Sequence, residues 1–383
     1  YIDMLSSDPI AGVTIDVARR RLVLPDGTRA PFTWLRDRCP CGECRHASGQ
    51  RLYDPATMPP DLNILDAVLD ASDHLTVTWS ENNHRSTYRL ESLRAAPAPA
   101  RTAPTLWDAA TVVAPVAQYD DITRHPAAMA EWLAGIDRLG FGMLRRVPVA
   151  DGEVARVAEL FGHVRVTNYG RFFDVRSIAE PSNLANTSLG LAAHTDNPYR
   201  DPVPSLQLLH CLQSSISGGE NLLVDGFQVA AEVRAALPAG FALLSSRPVS
   251  FAYLDDTTEL RASAPLVELL PDGSVRAVRC NSRSMQPSAL PHDDLQADDL
   301  TAWYDAYLLF TRLLTEPRLQ YRLRLDPGDL FIVDNRRVLH GRTAFAASTA
   351  ASVGTRHLQG CYADIDGLRS THAVLGRARD GER

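Results

Sequence analysis

The stretch Ala95–Pro104, reading AAPAPARTAP, constrains this chain more than any other, because alternating Ala and Pro can neither continue a helix nor feed a sheet ladder. It predicts a stiff, extended Ala/Pro linker over residues 95–105, dividing a small unit (residues 1–94) from a larger one (residues 106–383). No internal repeat and no further low-complexity tract interrupts either part. With 45% hydrophobic and 22% charged residues in a chain of 383, both parts have ordinary globular composition.

The small unit reads as mostly β. Arg21–Leu24 and Ala30–Trp34 flank the turn sequence Pro25-Asp26-Gly27, which predicts a hairpin. Leu75–Trp79 alternates with period two, as a half-buried strand does, and a turn with Asn82, Asn83 and His84 follows. The larger unit opens with helical spacing of Ala128, Trp132, Leu133 and Ile136 up to Gly140, then a second helix through Leu160 with Asp151 as its N-cap. Strand signals dominate after that: Ser205–Leu212, Asn221–Val224, Val275–Arg279, Leu330–Val333 and His357–Tyr362. Helical segments at Gln228–Leu237 and Leu300–Leu314 fall between them. The expected fold class is mainly β with flanking helices. A double-stranded β-helix (jelly roll) domain follows a small β-rich N-terminal domain. No Gly-rich nucleotide-binding motif is present.

Charge and cysteine usage narrow the partners. A net charge of −7 argues against a broad nucleic-acid-binding face. No apolar run approaches the roughly 18–20 residues needed to cross a bilayer. The first ten residues lack the basic and apolar regions of a secretory signal, and a first residue other than Met leaves a removed leader open. Cys39, Cys41 and Cys44 are crowded while Cys211, Cys280 and Cys361 are scattered, which is no disulfide scaffold; a reducing cytoplasm is the expected compartment.

Three elements carry candidate chemistry. On extended backbone, His194 and Asp196 of Ala193–Asp196 project to one face. His340 follows the apolar strand and lies in Asp334–Arg342, DNRRVLHGR. Two imidazoles and a carboxylate suit non-haem Fe(II), with open positions for co-substrate and oxygen. An H-x-D tripeptide alone is more often a surface or capping feature. Sixteen residues after His340 comes Arg356, whose guanidinium gives a two-pronged grip on a carboxylate. A return strand there is expected to lie antiparallel to the strand that delivers His340.

HTD, then Gly218–Phe227 (GGENLLVDGF), then DNRRVLHGR, then RHLQGCYAD, in that order, closely resembles the gamma-butyrobetaine dioxygenase family, within the wider taurine-dioxygenase-like oxygenases. The likeness runs roughly from Leu24 to Tyr362. It implies His194, Asp196 and His340 as iron ligands and Arg356 as anchor for the distal carboxylate of 2-oxoglutarate. Asn221 falls where relatives often carry a Thr or Ser assisting the same carboxylate. The implied reaction consumes O2 and 2-oxoglutarate, yields succinate and carbon dioxide, and hydroxylates an unactivated C–H bond of a small betaine-like or amino-acid-like substrate.

The same resemblance implies an aromatic cage for a trimethylammonium group, with Tyr169, Phe173 and Tyr362 at cage positions and Asn183 and Asn281 at the substrate carboxylate. Each aromatic also reads as ordinary core. Two departures stand out: Asn186 replaces a cage Tyr, which predicts a thinner cage, and Arg283 lies close to the acid-binding position. Arg283 is either a solvated charge or a sign of a more highly charged head group, so a trimethylammonium phosphonate or other small phosphonate is the alternative substrate. From another class, a zinc-dependent hydrolase uses the same three ligands but leaves Arg356 without a task. A non-catalytic metal-stapled binding protein leaves the whole set unused.

In Arg38–Cys44, Cys39, Cys41 and Cys44 supply three thiols in a tight loop. A distant His84 completes a closed Cys3His structural zinc site, with His46 as the competing ligand. Such a staple suits a unit whose core is too small to hold alone. Three reduced thiols without metal are the bland reading. Family relatives carry a matching zinc unit with Trp34–Asp37, WLRD, before the cysteines, and they commonly pair through it, so a homodimer is expected.

Overall fold

A computed structural model describes residues 12–94, 103–176, 189–214, 218–287, 292–344 and 356–380. The chain divides into two compact units, Tyr1–Arg101 and Thr102–Arg383. Most of the expected Ala/Pro connector lies outside the described residues.

The first unit holds two three-stranded antiparallel sheets. In one, β1 (Thr14–Asp16), β2 (Arg21–Val23) and β3 (Arg29–Pro31) lie in sequence order, and helix α1 (Phe32–Asp37) follows. The hairpin at Pro25-Asp26-Gly27 is present, with Gly27 at φ 82° and the Thr28 N–H donating to Asp26 Oδ1 at 2.9 Å. Phe32–Trp34 does not extend that strand, however. Pro31 caps a helix in which Phe32 and Leu35 share the buried face, so the second arm of the hairpin ends at Pro31. The other sheet comprises β4 (Ile64–Leu69), β5 (His74–Trp79) and β6 (Arg85–Arg89), with the short α2 (Leu90–Leu93) after it. Leu75, Val77 and Trp79 are buried on alternate positions of β5, as its pattern required.

The second unit begins with β7 (Val116–Gln118), α3 (Tyr119–Arg124), α4 (Pro126–Leu139), β8 (Phe141–Arg145), α5 (Glu153–Glu159), β9 (Phe173–Arg176) and β10 (Leu191–His194). It continues through β11 (Leu206–Ser214), β12 (Asn221–Asp225), α6 (Gly226–Ala236), α7 (Pro238–Ser246) and the hairpin of β13 (Val249–Leu254) with β14 (Glu259–Ala264). Then come β15 (Val267–Leu269), β16 (Val275–Val278), α8 (Asp294–Leu313), β17 (Tyr321–Leu323), β18 (Leu330–Asp334), β19 (Val338–Arg342), β20 (Arg356–Ala363) and α9 (Ile365–Asp380). Gly140 closes α4 in the left-handed conformation at φ 80°. Asp151 does not cap α5: Gly152 takes that position at φ 80°, and Asp151 instead accepts from Gln359 Nε2 at 2.8 Å.

Two sheets form the jelly roll. The larger runs β7-β8-β18-β11-β20-β9 and the smaller β10-β19-β12-β17. Leu209, Phe331 and Val333 of the larger sheet pack on Leu223, Leu323 and Val338 of the smaller. The alternate residues face helices: Leu208 and Ile332 meet α4 and α5, while Val224 and Leu339 meet α6 and α8. Because both faces of each sheet are covered, the strands read as continuous apolar runs instead of alternating ones. No helix among the described residues is long and apolar enough to cross a membrane.

One buried residue fits this core poorly. His210 on β11 is fully buried, and neither ring nitrogen has a hydrogen-bond partner among the described residues. Burial, with His357 nearby, pushes its pKa down to about 4. The unfolded chain then takes up a proton below about pH 6.5 that the folded protein refuses, so stability falls with pH until the folded pKa is reached. His210→Leu is expected to raise the melting temperature by about 2–4 °C at pH 7 and by more at pH 5. Melts showing the same gap at both pH values would count against this assignment.

Candidate active site

The register of β10 on β19 sets His194 directly opposite His340, with the two ring centroids 4.5 Å apart. β10 ends at His194, so strand alternation does not deliver Asp196 as its spacing suggested; a clamp beyond the strand end does. The Asp196 N–H donates to Asn335 Oδ1 at 2.7 Å, and Asn335 Nδ2 donates to Asp196 O (3.0 Å) and Pro204 O (2.9 Å). The Thr195 N–H meanwhile donates to Cys280 O at 2.8 Å.

Asp196 Oδ1 lies 3.2 Å from His194 Nε2 and 3.9 Å from His340 Nε2. Its other oxygen, Oδ2, accepts from Gln207 Nε2 (2.6 Å) and Tyr362 Oη (2.8 Å). The carboxylate is thus oriented with one oxygen committed and one turned to the imidazoles. Burial alone would raise its pKa, but His340, His194 and the Tyr362 hydroxyl outweigh burial and hold it well below the usual carboxylate range. His194 Nδ1 sits 2.9 Å from Ala192 O, which assigns the proton to Nδ1 and leaves the Nε2 lone pair for a cation. Burial keeps His340 neutral, its pKa pushed down to about 3. The three ligand atoms lie within 4.8 Å of one another, and two neutral imidazoles with one carboxylate are the donor set of a facial iron(II) site.

Arg356 reaches this cavity from the other side. β20 does not pair with β19, contrary to the expected return strand; it lies between β11 and β9 in the larger sheet. The guanidinium spans the sandwich, donating from an Nη to Asn221 Oδ1 on the smaller sheet at 3.4 Å. Burial, with Arg342 close by, lowers its pKa to about 10, so it remains cationic at neutral pH. Asn221 pairs with Arg342, and Leu223 with His340. The grip therefore sits two residues along the strand from the histidines, about 6.6 Å away, which suits a five-carbon diacid.

Between these ends is a cavity of about 720 Å³. Its aromatic wall contains Tyr169, Phe173 and Tyr362 as the sequence proposed, with Phe173 centred 6.2 Å from Tyr169 and 5.2 Å from Tyr362. Gly360 makes room for that ring, since a Cβ there would lie 2.5 Å from Phe173. The wall is not thin. Tyr199 and Tyr253, which no motif announced, pack with ring centroids 5.1 Å apart and planes tilted by 31°, and the Tyr199 and Tyr169 hydroxyls lie 2.9 Å apart. Asn281 lines the cavity, yet one amide hydrogen goes to Thr195 O (3.1 Å) while its Oδ1 accepts from Arg283 N (3.2 Å) and Nε (3.4 Å). Asn183 and Asn186 lie outside the described residues.

In the first unit, Cys39, Cys41, Cys44 and His84 converge, with His84 Nε2 3.3, 3.7 and 3.6 Å from the three sulfurs in that order. Asn82 and Asn83, at φ 50° and 54°, make the turn that presents the imidazole. His46 stays outside, its Nδ1 2.9 Å from Ser48 Oγ. Burial pushes the Cys39 thiol up to about 12, and Arg36 donates to Cys44 Sγ at 3.3 Å. Three sulfurs and one imidazole are the donors of a closed structural zinc site.

Comparison with known proteins gives consistent matches. Residues 102–362 match the family described as taurine catabolism dioxygenase TauD, TfdA, and residues 21–94 match the gamma-butyrobetaine hydroxylase-like N-terminal family. Gamma-butyrobetaine dioxygenase of Pseudomonas sp. (strain AK-1) is 33% identical over 96% of this chain and 97% of its own. The human gamma-butyrobetaine dioxygenase is 28% identical over 90% of each chain. Bovine mitochondrial trimethyllysine dioxygenase is 28% identical over 91% of this chain and 83% of its own.

Proposed function

This chain belongs to the TauD, TfdA dioxygenase family, and from that premise we propose that it hydroxylates an unactivated C–H bond of a small betaine-like substrate at the expense of 2-oxoglutarate and dioxygen. The observation that carries the reading is the convergence of His194, Asp196, His340 and Arg356 on one aromatic-walled cavity. His194 Nε2, Asp196 Oδ1 and His340 Nε2 would hold iron(II). Bound there, the metal supplies the oxidising chemistry that couples decarboxylation of 2-oxoglutarate to oxygen transfer.

The protein's own residues orient and shield. Arg356 and the amide group of Asn221 receive the distal carboxylate of the co-substrate. Gln207 and Tyr362 hold the Asp196 carboxylate in one rotamer, with Oδ1 turned toward the two imidazoles. The aromatic wall excludes water and offers π-faces to a cationic head, each good contact gaining about 0.5–2 kcal/mol. Arg283 lines the same cavity and gives it a cationic end suited to a substrate's acid group, which supports a zwitterionic substrate.

Turnover of 2-oxoglutarate should be measured with iron against gamma-butyrobetaine, trimethyllysine, a trimethylammonium phosphonate and free amino acids. Stimulation by at least one trimethylammonium compound is expected, and stimulation by none of them would sink the reading. Arg356→Lys keeps the charge but loses the planar fork, so the KM for 2-oxoglutarate should rise on the order of tenfold to a hundredfold with iron binding unchanged. An unaltered KM would remove Arg356 from the site.

A further inference from the structure

The hairpin of β13 and β14 belongs to neither sheet of the jelly roll. It is moored at its base, where the Ala252 N–H donates to Ser284 O at 2.9 Å and the Gln286 N–H to Ser250 O at 2.8 Å. Its far end carries Tyr253, Leu254 and Asp255 into the wall of the cavity. There the Tyr253 ring lies 5.1 Å from Tyr199 and 5.9 Å from Tyr169.

Three carboxylates stand among the described residues that line the cavity: Asp174, Asp196 and Asp255. Asp196 is the candidate metal ligand. Asp174 is ion-paired with Arg176 at 3.7 Å, and the same oxygen accepts from Gln359 Nε2 at 3.2 Å and lies 2.7 Å from His357 Nε2. Asp255 differs from both. Its Oδ2 accepts from the Tyr253 hydroxyl at 2.6 Å, and its Oδ1 from the Thr257 N–H (2.8 Å) and hydroxyl (3.0 Å). Those donors are all uncharged: they fix the carboxylate on the turn and leave its charge without an ion pair among the described residues.

The geometry points to Asp255 as a specificity-determining counter-ion, which acts with Tyr253 to select a permanently cationic head group over an uncharged one of the same shape. The proposal rests on the betaine reading above and adds the residue that reads the charge. Two effects work together. The carboxylate attracts a cation lodged against the Tyr253–Tyr199–Tyr169 faces, and by accepting a hydrogen bond from the Tyr253 hydroxyl it leaves that ring more electron-rich. Hydrogen bonds, first from the Tyr253 hydroxyl and then from the Thr257 amide, hold the Asp255 pKa down to about 2, so the charge persists across the working pH range. A neutral head of equal size gains the apolar contact but not the electrostatic one.

The test compares gamma-butyrobetaine with its isostere in which a tert-butyl group replaces trimethylammonium, using the holoenzyme with iron and saturating 2-oxoglutarate. Wild type should prefer the cation in kcat/KM, and the preference should weaken with added salt. Asp255→Asn should shrink it about threefold to tenfold through KM, with the isostere's constants moving less than about twofold, and Asp255→Glu should restore most of it. A preference undiminished in Asp255→Asn overturns the assignment alone. Equal losses on both substrates mark a merely structural turn and overturn it as well. A wild-type enzyme indifferent to the charge overturns the betaine reading and this assignment together.

Discussion

His340→Ala should cut succinate release from 2-oxoglutarate by at least about 10³-fold, roughly 4 kcal/mol of transition-state stabilisation. The imidazole is one of the three clustered donors among the described residues, and its neighbours are arranged around it: His194 opposite it in register, Asp196 Oδ1 3.9 Å from its Nε2. Removing it leaves two ligands, too few for a facial site. The chain should still fold, because β19 keeps its pairing with β10 and β12 through the backbone. Iron content and succinate formation, measured alongside circular dichroism, separate loss of the site from loss of the fold. Retained turnover in a folded variant would end the oxygenase assignment. Asn335→Ala and Gln207→Leu leave all three donors in place and weaken the support of Asp196, so their losses should be smaller, about 10–100-fold.

Cys41→Ser should abolish zinc binding and unfold most of the first unit while iron still loads into the second. The expectation follows from scale. That unit is a small core around Phe32, Leu75, Trp79 and Tyr88, whereas structural zinc contributes on the order of 10–16 kcal/mol of apparent binding free energy at neutral pH. The Cys41 sulfur lies 3.7 Å from His84 Nε2 within a four-residue cluster, so serine removes a required donor. Zinc analysis by mass spectrometry, with limited proteolysis between residues 12 and 94, reads both consequences. Full zinc occupancy in the variant would show that the ligand set is misassigned.

Much of this was legible in the chain itself, and the failures are physical. Covered sheets leave continuous apolar strands, so Leu330–Val333 and Asn221–Val224 were easy to place. Cysteines two or three apart with a distant His define a site by composition alone, and His84 beat His46 because its turn faces the sulfurs. The partner of a strand is not written in its own residues, which is why β20 was set beside β19 and not in the larger sheet. Asn335 was quoted within its motif without a role, because clamping a backbone leaves no spacing signature. Tyr199 and Tyr253 escaped for a similar reason: an aromatic looks like core until the backbone shows that a cavity lies behind it. Asp151 resembled a cap because it precedes a helix, but Gln359, distant in sequence, claims its side chain.

The short turn that crosses from β18 in the larger sheet to β19 in the smaller carries Asn335, which clasps the Asp196 loop, and five residues later His340, which sits across from His194. One stiff piece of backbone therefore aligns every donor at once. Distant changes that tilt this piece would move the three ligands as a set and leave their mutual spacing intact, so drift elsewhere in the molecule would re-aim the centre toward a new carbon before it dismantled the centre.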